Sequence, residues 1–293
     1  MLSRLKFLYL CLQFTYSLET GGGMEMNIAK LEDFLKIDAN GYNEPSVEAL
    51  NDYATRFMLT VPFENIDVQN GKPISVDIDA LFNKIVHDKR GGFCYELNSF
   101  FKAYLLQKGF NPQLMSATIH TPNGGRSLNG SHASLVVPIN NVFYVADVGF
   151  GDLPLHAMPI TSSDQTQPVT DINGTFRAIF ENEHKELFYV QKFENDNWNT
   201  KYEAEFKPKQ IEDFNSNIEY NQTNPDSIFV KHLLITMPQS FGRATMSENH
   251  LTLTRNGTSE KFDVTKDNYK HFLEKYFKLN VTINRIENNN SKI

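Results

Sequence analysis

The hydrophobic pattern of this chain changes its period once, at Gly109, and that switch limits the folds open to it. Before Gly109 the apolar residues recur at helical spacing. In "NIAKLEDFLKI" Ile28, Leu31, Phe34 and Leu35 share one face, and in "SVEALNDYATRFML" Val47, Leu50, Tyr53 and Phe57 do so behind Ser46, a side chain suited to an N-cap. A short extended piece, Ile74 to Val76, precedes "DIDALFNKIVHDKR", and the run "CYELNSFFKAYLLQKGF" closes on Lys108 and Gly109, residues typical of a helix end. After Gly109 the pattern alternates. "QLMSATIH", "HASLVVP", "NVFYVADV", "TFRAIFE" and "LFYVQKF" are short β-branched and aromatic runs between Gly, Asn, Asp and Pro clusters, as in an antiparallel sheet or small barrel. From about residue 218 the texture is mixed: "SIFVKHLLITM" and "HLTLTRN" read as strands and "DNYKHFLEKYF" as a terminal helix. The order is helices, then strands, then both, which is an α+β pattern.

At 293 residues the chain is too long for one core of ordinary size, and 23 phenylalanines supply ample apolar material. A formal net charge of −7 gives no basic footprint for nucleic acid or an anionic membrane. The two cysteines, at positions 11 and 94, could form at most one bridge, which argues against a disulfide scaffold and for a reducing, cytoplasmic setting. The first 23 residues, "MLSRLKFLYLCLQFTYSLETGGG", carry a basic start and an apolar core shorter than a membrane span, with no small-residue cleavage site. Gly21-Gly22-Gly23 reads as a translated ribosome-binding site, with the natural start at Met24 or Met26.

Chemistry enters at "RGGFCYELN", residues 90–98. If Cys94 opens a helix, the free amides of its first turn and the helix dipole favour the thiolate, and Gly91-Gly92 lets the backbone approach closely. A small buried hydrophobe is the competing role for that cysteine. A thiolate nucleophile needs a base, and a base needs an orienting group. Of eight histidines, His132 is followed by "SHASLVVPINNVFYVADVGFG", which reads as strand, turn, strand with Asn140-Asn141 at the turn. In that register Ser134 faces Asp147, so His132 and Asp147 lie on one face as diagonal neighbours. A slip of one residue would part them. An exposed strand-end histidine and a carboxylate capping the loop "GFGD" are the simpler roles for the two. A metal site fits less well, because no second cysteine lies near Cys94 and no HxxxH or CxxC spacing occurs.

The blocks "VPFENIDV" (61–68), "RGGFCYELN" (90–98), "SHASLVV" (131–137), "YVADVGFGD" (144–152) and "NPDSIFVKHLL" (224–234) resemble, in order and spacing, those of the arylamine N-acetyltransferases. The resemblance implies a fold of three parts with a cysteine-protease-like core: a helical bundle over 26–109, an antiparallel β-barrel over 110–217 and an α/β lid over 218–293, with residues 1–25 a non-native or disordered extension. It implies a triad of Cys94, His132 and Asp147, and ping-pong transfer of acetyl from acetyl-CoA through a cysteine thioester to an arylamine or arylhydrazine, as in xenobiotic metabolism. Phe63 and Phe150 match residues lining the acceptor pocket, although both suit a plain core. Glu64 and Arg90 match a buried pair supporting the cysteine loop. The Cys94 amide is the expected oxyanion donor, and the "TPNGGRS" turn with Arg126 could meet a CoA phosphate or be a simple hairpin tip. No tightly bound cofactor, metal, nucleic acid or membrane is implied, and the chain would be a monomer or weak homo-oligomer. The alternatives keep the fold: an acyltransferase or amide-forming enzyme of a biosynthetic pathway with another acyl donor, a hydrolase, or a non-enzymatic relative that binds aromatic ligands.

Overall fold

The computed structural model describes residues 26–288. The stretch 1–25, expected from the sequence to be an extension, lies outside them. The helical part comprises α1 (Ile28–Leu35), α2 (Val47–Met58), the short α3 (Ile66–Gln69), α4 (Ile78–Phe82), which continues as a π turn over Asn83–His87, and α5 (Cys94–Gln107). Its starts are capped as their side chains dictate. Ser46 accepts from the Ala49 amide at 3.1 Å, Asn27 from Lys30 at 3.0 Å and Asp77 from Ala80 at 2.9 Å.

Helix α5 is the axle of this part. Leu97, Phe100, Phe101, Tyr104 and Leu105 are wholly buried, with Leu31 of α1 and Leu50 of α2 in the same core. Ring contacts join the helices, Tyr53 edge-on to Tyr104 at 5.3 Å and Phe57 tilted against Phe101 at 5.2 Å between ring centroids. Each such side chain contributes about 1.5–3 kcal/mol by leaving water. α5 carries apolar residues around its girth because it also meets the barrel.

The barrel strands are β2 (Gln113–Ile119), β3 (His132–Ile139), β4 (Val142–Val145), β5 (Met158–Thr161), β7 (Gly174–Phe180), β8 (Leu187–Glu194) and β9 (Asn197–Lys209); β6 (Val169–Asp171) pairs with β7 only. Around the barrel the order is β5-β4-β3-β2-β9-β8-β7, closed by a parallel pair, Ile160 with Ala178 and Thr161 with Ile179. The barrel is antiparallel, as expected, at every pairing but this one. With an odd number of strands alternating in direction, the two that meet at the seam must run the same way. The β3–β4 hairpin turns at Asn140 and Asn141, both at positive φ (49° and 65°), and pairs Ile139 with Val142 and Val136 with Val145. That is the register the Asn-Asn turn implied.

Strand β1 (Phe63–Glu64) leaves the helical part and joins β10 (Ile235–Gln239), β11 (Gly242–Met246), β12 (His250–Arg255) and β13 (Thr258–Asp263) in an antiparallel sheet. The C-terminal helices α8 (Tyr269–Phe272) and α9 (Asn284–Asn288) supply Tyr269 and Ile286 to its core of Ile235, Met237, Leu251 and Leu253. "SIFVKHLLITM" is not one strand. After α6 (Asn215–Thr223), Ser227 caps a turn of helix, α7 (Ile228–Lys231), by accepting from the Phe229 amide at 3.2 Å, and the strand begins at Ile235. No helix among the described residues is long and apolar enough to cross a membrane.

Candidate active site

Cys94 is the first residue of α5, and the residue before it, Phe93, has no side-chain acceptor to cap the helix. The Phe93 amide is held instead by Glu96 from one turn on, at 3.1 Å to Oε2. The amides of Cys94 and Tyr95 have no acceptor within the helix and face outward from its start. Both preceding glycines are steric necessities. A Cβ on Gly91 would lie 1.9 Å from the Pro62 carbonyl oxygen, and one on Gly92 would lie 2.7 Å from Glu96 Oε2. Strand β1 binds this loop directly, the Glu64 amide donating to the Gly92 carbonyl at 2.8 Å.

His132 opens β3 and Asp147 follows β4, so the hairpin carries both to the mouth of α5. His132 Nε2 donates to Asp147 Oδ2 at 2.6 Å, and the Cys94 sulfur hydrogen-bonds to the same ring, which leaves Nδ1 as the nitrogen facing it. Burial works against a charged imidazole here, but Asp147 and Cys94 outweigh it and hold the ring protonated up to about 10. Burial would likewise raise the Asp147 carboxyl. His132, Asn98 and the Gly149 amide reverse that and keep it below the usual carboxylate range.

Asp147 is buried and satisfied on both oxygens. Asn98 Nδ2 and the Gly149 amide donate to Oδ1 at 2.8 and 3.0 Å, while His132 and the Tyr202 hydroxyl donate to Oδ2 at 2.6 and 3.0 Å. It therefore both orients the histidine and caps its own glycine loop. Asn98 lies one turn along α5 from Cys94; it also donates to the Ala133 carbonyl at 2.6 Å and accepts from the Val148 amide at 3.0 Å. The loop can come this close only because residue 149 is glycine. A Cβ there would lie 2.8 Å from Asn98 Nδ2 and 2.9 Å from the Cys94 Cα.

Phe150 stands edge-on to His132 at 5.2 Å and tilted against Tyr202 at 5.3 Å, so it borders the His132–Asp147 pair directly. Phe63 lies 6.1 Å from Phe229, which in turn meets Phe93 at 5.6 Å. Arg90 binds Glu64 Oε1 through Nε at 2.9 Å and Nη2 at 2.7 Å, and reaches Asp67 Oδ1 at 3.0 Å. Arg126 does not stand free for a phosphate: Glu203 takes its Nε and Nη2, both at 3.0 Å. Among the described residues no three His, Cys, Asp or Glu side chains gather as a metal site.

The structure adds four groups that the motifs alone did not single out: Asn98, Tyr202, Phe229 and Lys84. Asn98 stood inside the quoted "CYELN" block, and its spacing of four from Cys94 put it on the same helix face. Tyr202 lies in β9, whose inward Tyr202, Ala204 and Phe206 alternate with charged residues; that alternation was a usable strand signal.

A family model described as N-acetyltransferase matches residues 46–286. An uncharacterised acetyltransferase of Bacillus subtilis strain 168, YvcN, is 28% identical over 259 residues, which is 85% of this chain and 99% of the relative. The arylamine N-acetyltransferase of Escherichia coli strain K12 is 28% identical over 226 residues, 76% of this chain and 78% of that one. The crystal structure of the NAT3 arylamine N-acetyltransferase of Bacillus cereus, described as having a unique Cys-His-Glu catalytic triad, superposes with a TM-score of 0.76 at 26% identity, covering 87% of this chain and 98% of that one. Where that enzyme is described with Glu, this chain places Asp147. With the family model spanning most of its length, the chain belongs to the arylamine N-acetyltransferases, a family of acyltransferases.

Proposed function

We propose that this protein transfers an acetyl group from acetyl-CoA, through a thioester on Cys94, to the nitrogen of an aromatic amine or hydrazine. The observation that carries the reading is the buried line Cys94, His132, Asp147, with the sulfur on uncapped helix amides and the imidazolium held between sulfur and carboxylate. Such a pair supplies a nucleophile and its proton donor together.

In the first half-reaction the Cys94 sulfur attacks the acetyl carbonyl carbon. The oxyanion forms against the free amides at the start of α5, the bond from carbon to the CoA sulfur breaks, and His132 gives its proton to the departing thiolate. In the second, the amine nitrogen attacks the Cys94 thioester. The now neutral His132 takes the N–H proton, and the Cys94 sulfur leaves as the anion, restoring the starting pair. Asp147 keeps the ring oriented in both steps. Phe63 and Phe150 are the proposed walls for the aromatic ring of the acceptor, and the Glu64–Arg90 pair braces the cysteine loop. Acetyl-CoA is a substrate rather than a resident cofactor in this scheme, and the acid-balanced charge and cysteine usage support a cytoplasmic setting.

Mass spectrometry after incubation with acetyl-CoA alone tests the scheme. One acetyl group on Cys94 is expected, removed on adding an aromatic hydrazine and absent from Cys94→Ala. A protein that stays unmodified, or one whose adduct persists with the hydrazine present, would overturn it.

A further inference from the structure

The loop that presents Cys94 rests on a chain of buried charges that reaches past the Glu64–Arg90 pair. Arg90 bridges Glu64 and Asp67. Asp67 Oδ2 lies 2.6 Å from Lys84 Nζ, and the same ammonium lies 2.7 Å from Glu96 Oε1. Both ends of the chain finish on backbone. Glu64 accepts from the amides of Ile66 at 2.6 Å and Gly91 at 3.3 Å, and Glu96 accepts from Phe93 at 3.1 Å. The amides of Gly91 and Phe93, three residues and one residue before Cys94, are thus each clamped by a carboxylate, and each carboxylate is tied to a buried cation.

Three carboxylates stand against two cations, so the chain carries one uncompensated negative charge. Glu96 is where that imbalance is felt. It is 1% exposed and has one ammonium and one amide as donors. The charged groups around it are Lys84 from the π turn, Glu64 from β1, and beyond Lys84 the carboxylate of Asp67 and the guanidinium of Arg90. No other side chain caps the nucleophile's helix. If the carboxylate turned away, the Phe93 amide would lose its acceptor and the first turn, which carries the two amides free for an oxyanion, would lose its anchor.

We infer that Lys84 and Glu96 are positioning residues for acyl transfer: Lys84 fixes an ionised Glu96, and Glu96 fixes the helix start that presents the Cys94 sulfur and the Cys94 and Tyr95 amides. The inference rests on the thioester scheme proposed for Cys94. Burial raises Glu96 to about 7 despite Lys84, whereas His132 stays protonated up to about 10. An acid limb in acylation between pH 8 and 6 is therefore the signature expected of Glu96 taking a proton, not of a change at His132.

The test is single-turnover acetylation of Cys94 by acetyl-CoA, followed by mass spectrometry from pH 6 to 9. A wild-type protein that forms no adduct at any pH overturns the thioester scheme itself, whereas an adduct formed at a rate independent of pH overturns only the positioning role. In the wild type the rate should fall roughly tenfold per pH unit below about 7. Lys84→Met should move this acid limb upward by a pH unit or more and slow acylation at pH 7.5 by about threefold or more, with Lys84→Arg restoring both. Glu96→Gln, which keeps the shape without the charge, should give a low, flat rate across the range. It serves as the second variant if Lys84→Met does not fold. A merely structural role would lower thermal stability and leave the pH profile in place. A wild-type acid limb in either folded variant would overturn the inference.

Discussion

Asp147 and Glu96 are both buried carboxylates held at the first turns of α5, yet their environments push them in opposite directions. Asp147 has four donors on two oxygens and is held below the usual carboxylate range, against the effect of burial. Glu96 has two donors, and burial raises it to about 7 even with an ammonium at 2.7 Å. A single opposite charge does not offset the loss of water around a carboxylate; several hydrogen bonds directed at the charged form, added to a charge, do. The barrel side of the site thus holds a carboxyl kept below its usual range and the helix side one raised above it.

The comparison can be broken from the Asp147 side. Asp147→Asn keeps the shape, removes the charge and presents an NH2 to donors that need an acceptor; turnover should fall by about a thousandfold or more with the fold retained by circular dichroism. Asn98→Ala strips hydrogen bonds from Asp147, Ala133 and Val148 at once, and should cost about 2–4 kcal/mol in urea unfolding. Gly149→Ala forces a methyl against Asn98 and the Cys94 backbone, for about 1–3 kcal/mol. Tyr202→Phe, the mildest, removes one of four donors and should cost about 1 kcal/mol.

The pH dependence of stability sharpens the contrast without touching activity. The folded value of Glu96, about 7, lies above the ~4.3 of an unfolded glutamate. Between those limits the folded state holds the extra proton, so this group makes stability fall as pH rises, and Glu96→Gln should flatten that slope. Asp147 lies below its unfolded ~3.9. Its contribution is in place above that pH and is lost only as acid carries the pH down through the lowered value. Urea midpoints from pH 3 to 8 read both.

The parts of the site that were legible in the sequence are those set by local rules. Asn140-Asn141 fixed the hairpin register, and the register placed His132 and Asp147 on one face; Gly91-Gly92 and the helical run after them placed Cys94 at a helix start. What stayed hidden depends on distant pairings. Tyr202 reaches Asp147 from β9, a strand whose alternation was readable but whose neighbour across the barrel was not. Lys84 reads as one more charged residue on a helix until the fold sets Asp67 and Glu96 against it. Phe229 sits in a segment that reads as strand because its apolar run is continuous, while the Ser227 hydroxyl that starts the helix is a single atom's worth of signal.

Strand β1 is two residues long, yet it lies between the Gly92 loop and β10, with Phe63 opposite Thr236. The ribosome makes β1 before Cys94, whereas β10, which pairs with the other edge of β1, follows far later in the chain. Until β10 arrives, β1 has Gly92 on one side and an open edge on the other, so the frame around the Cys94 loop is completed only when the last third of the polypeptide is made. One pair of backbone rungs thereby ties the loop before Cys94 to the C-terminal sheet.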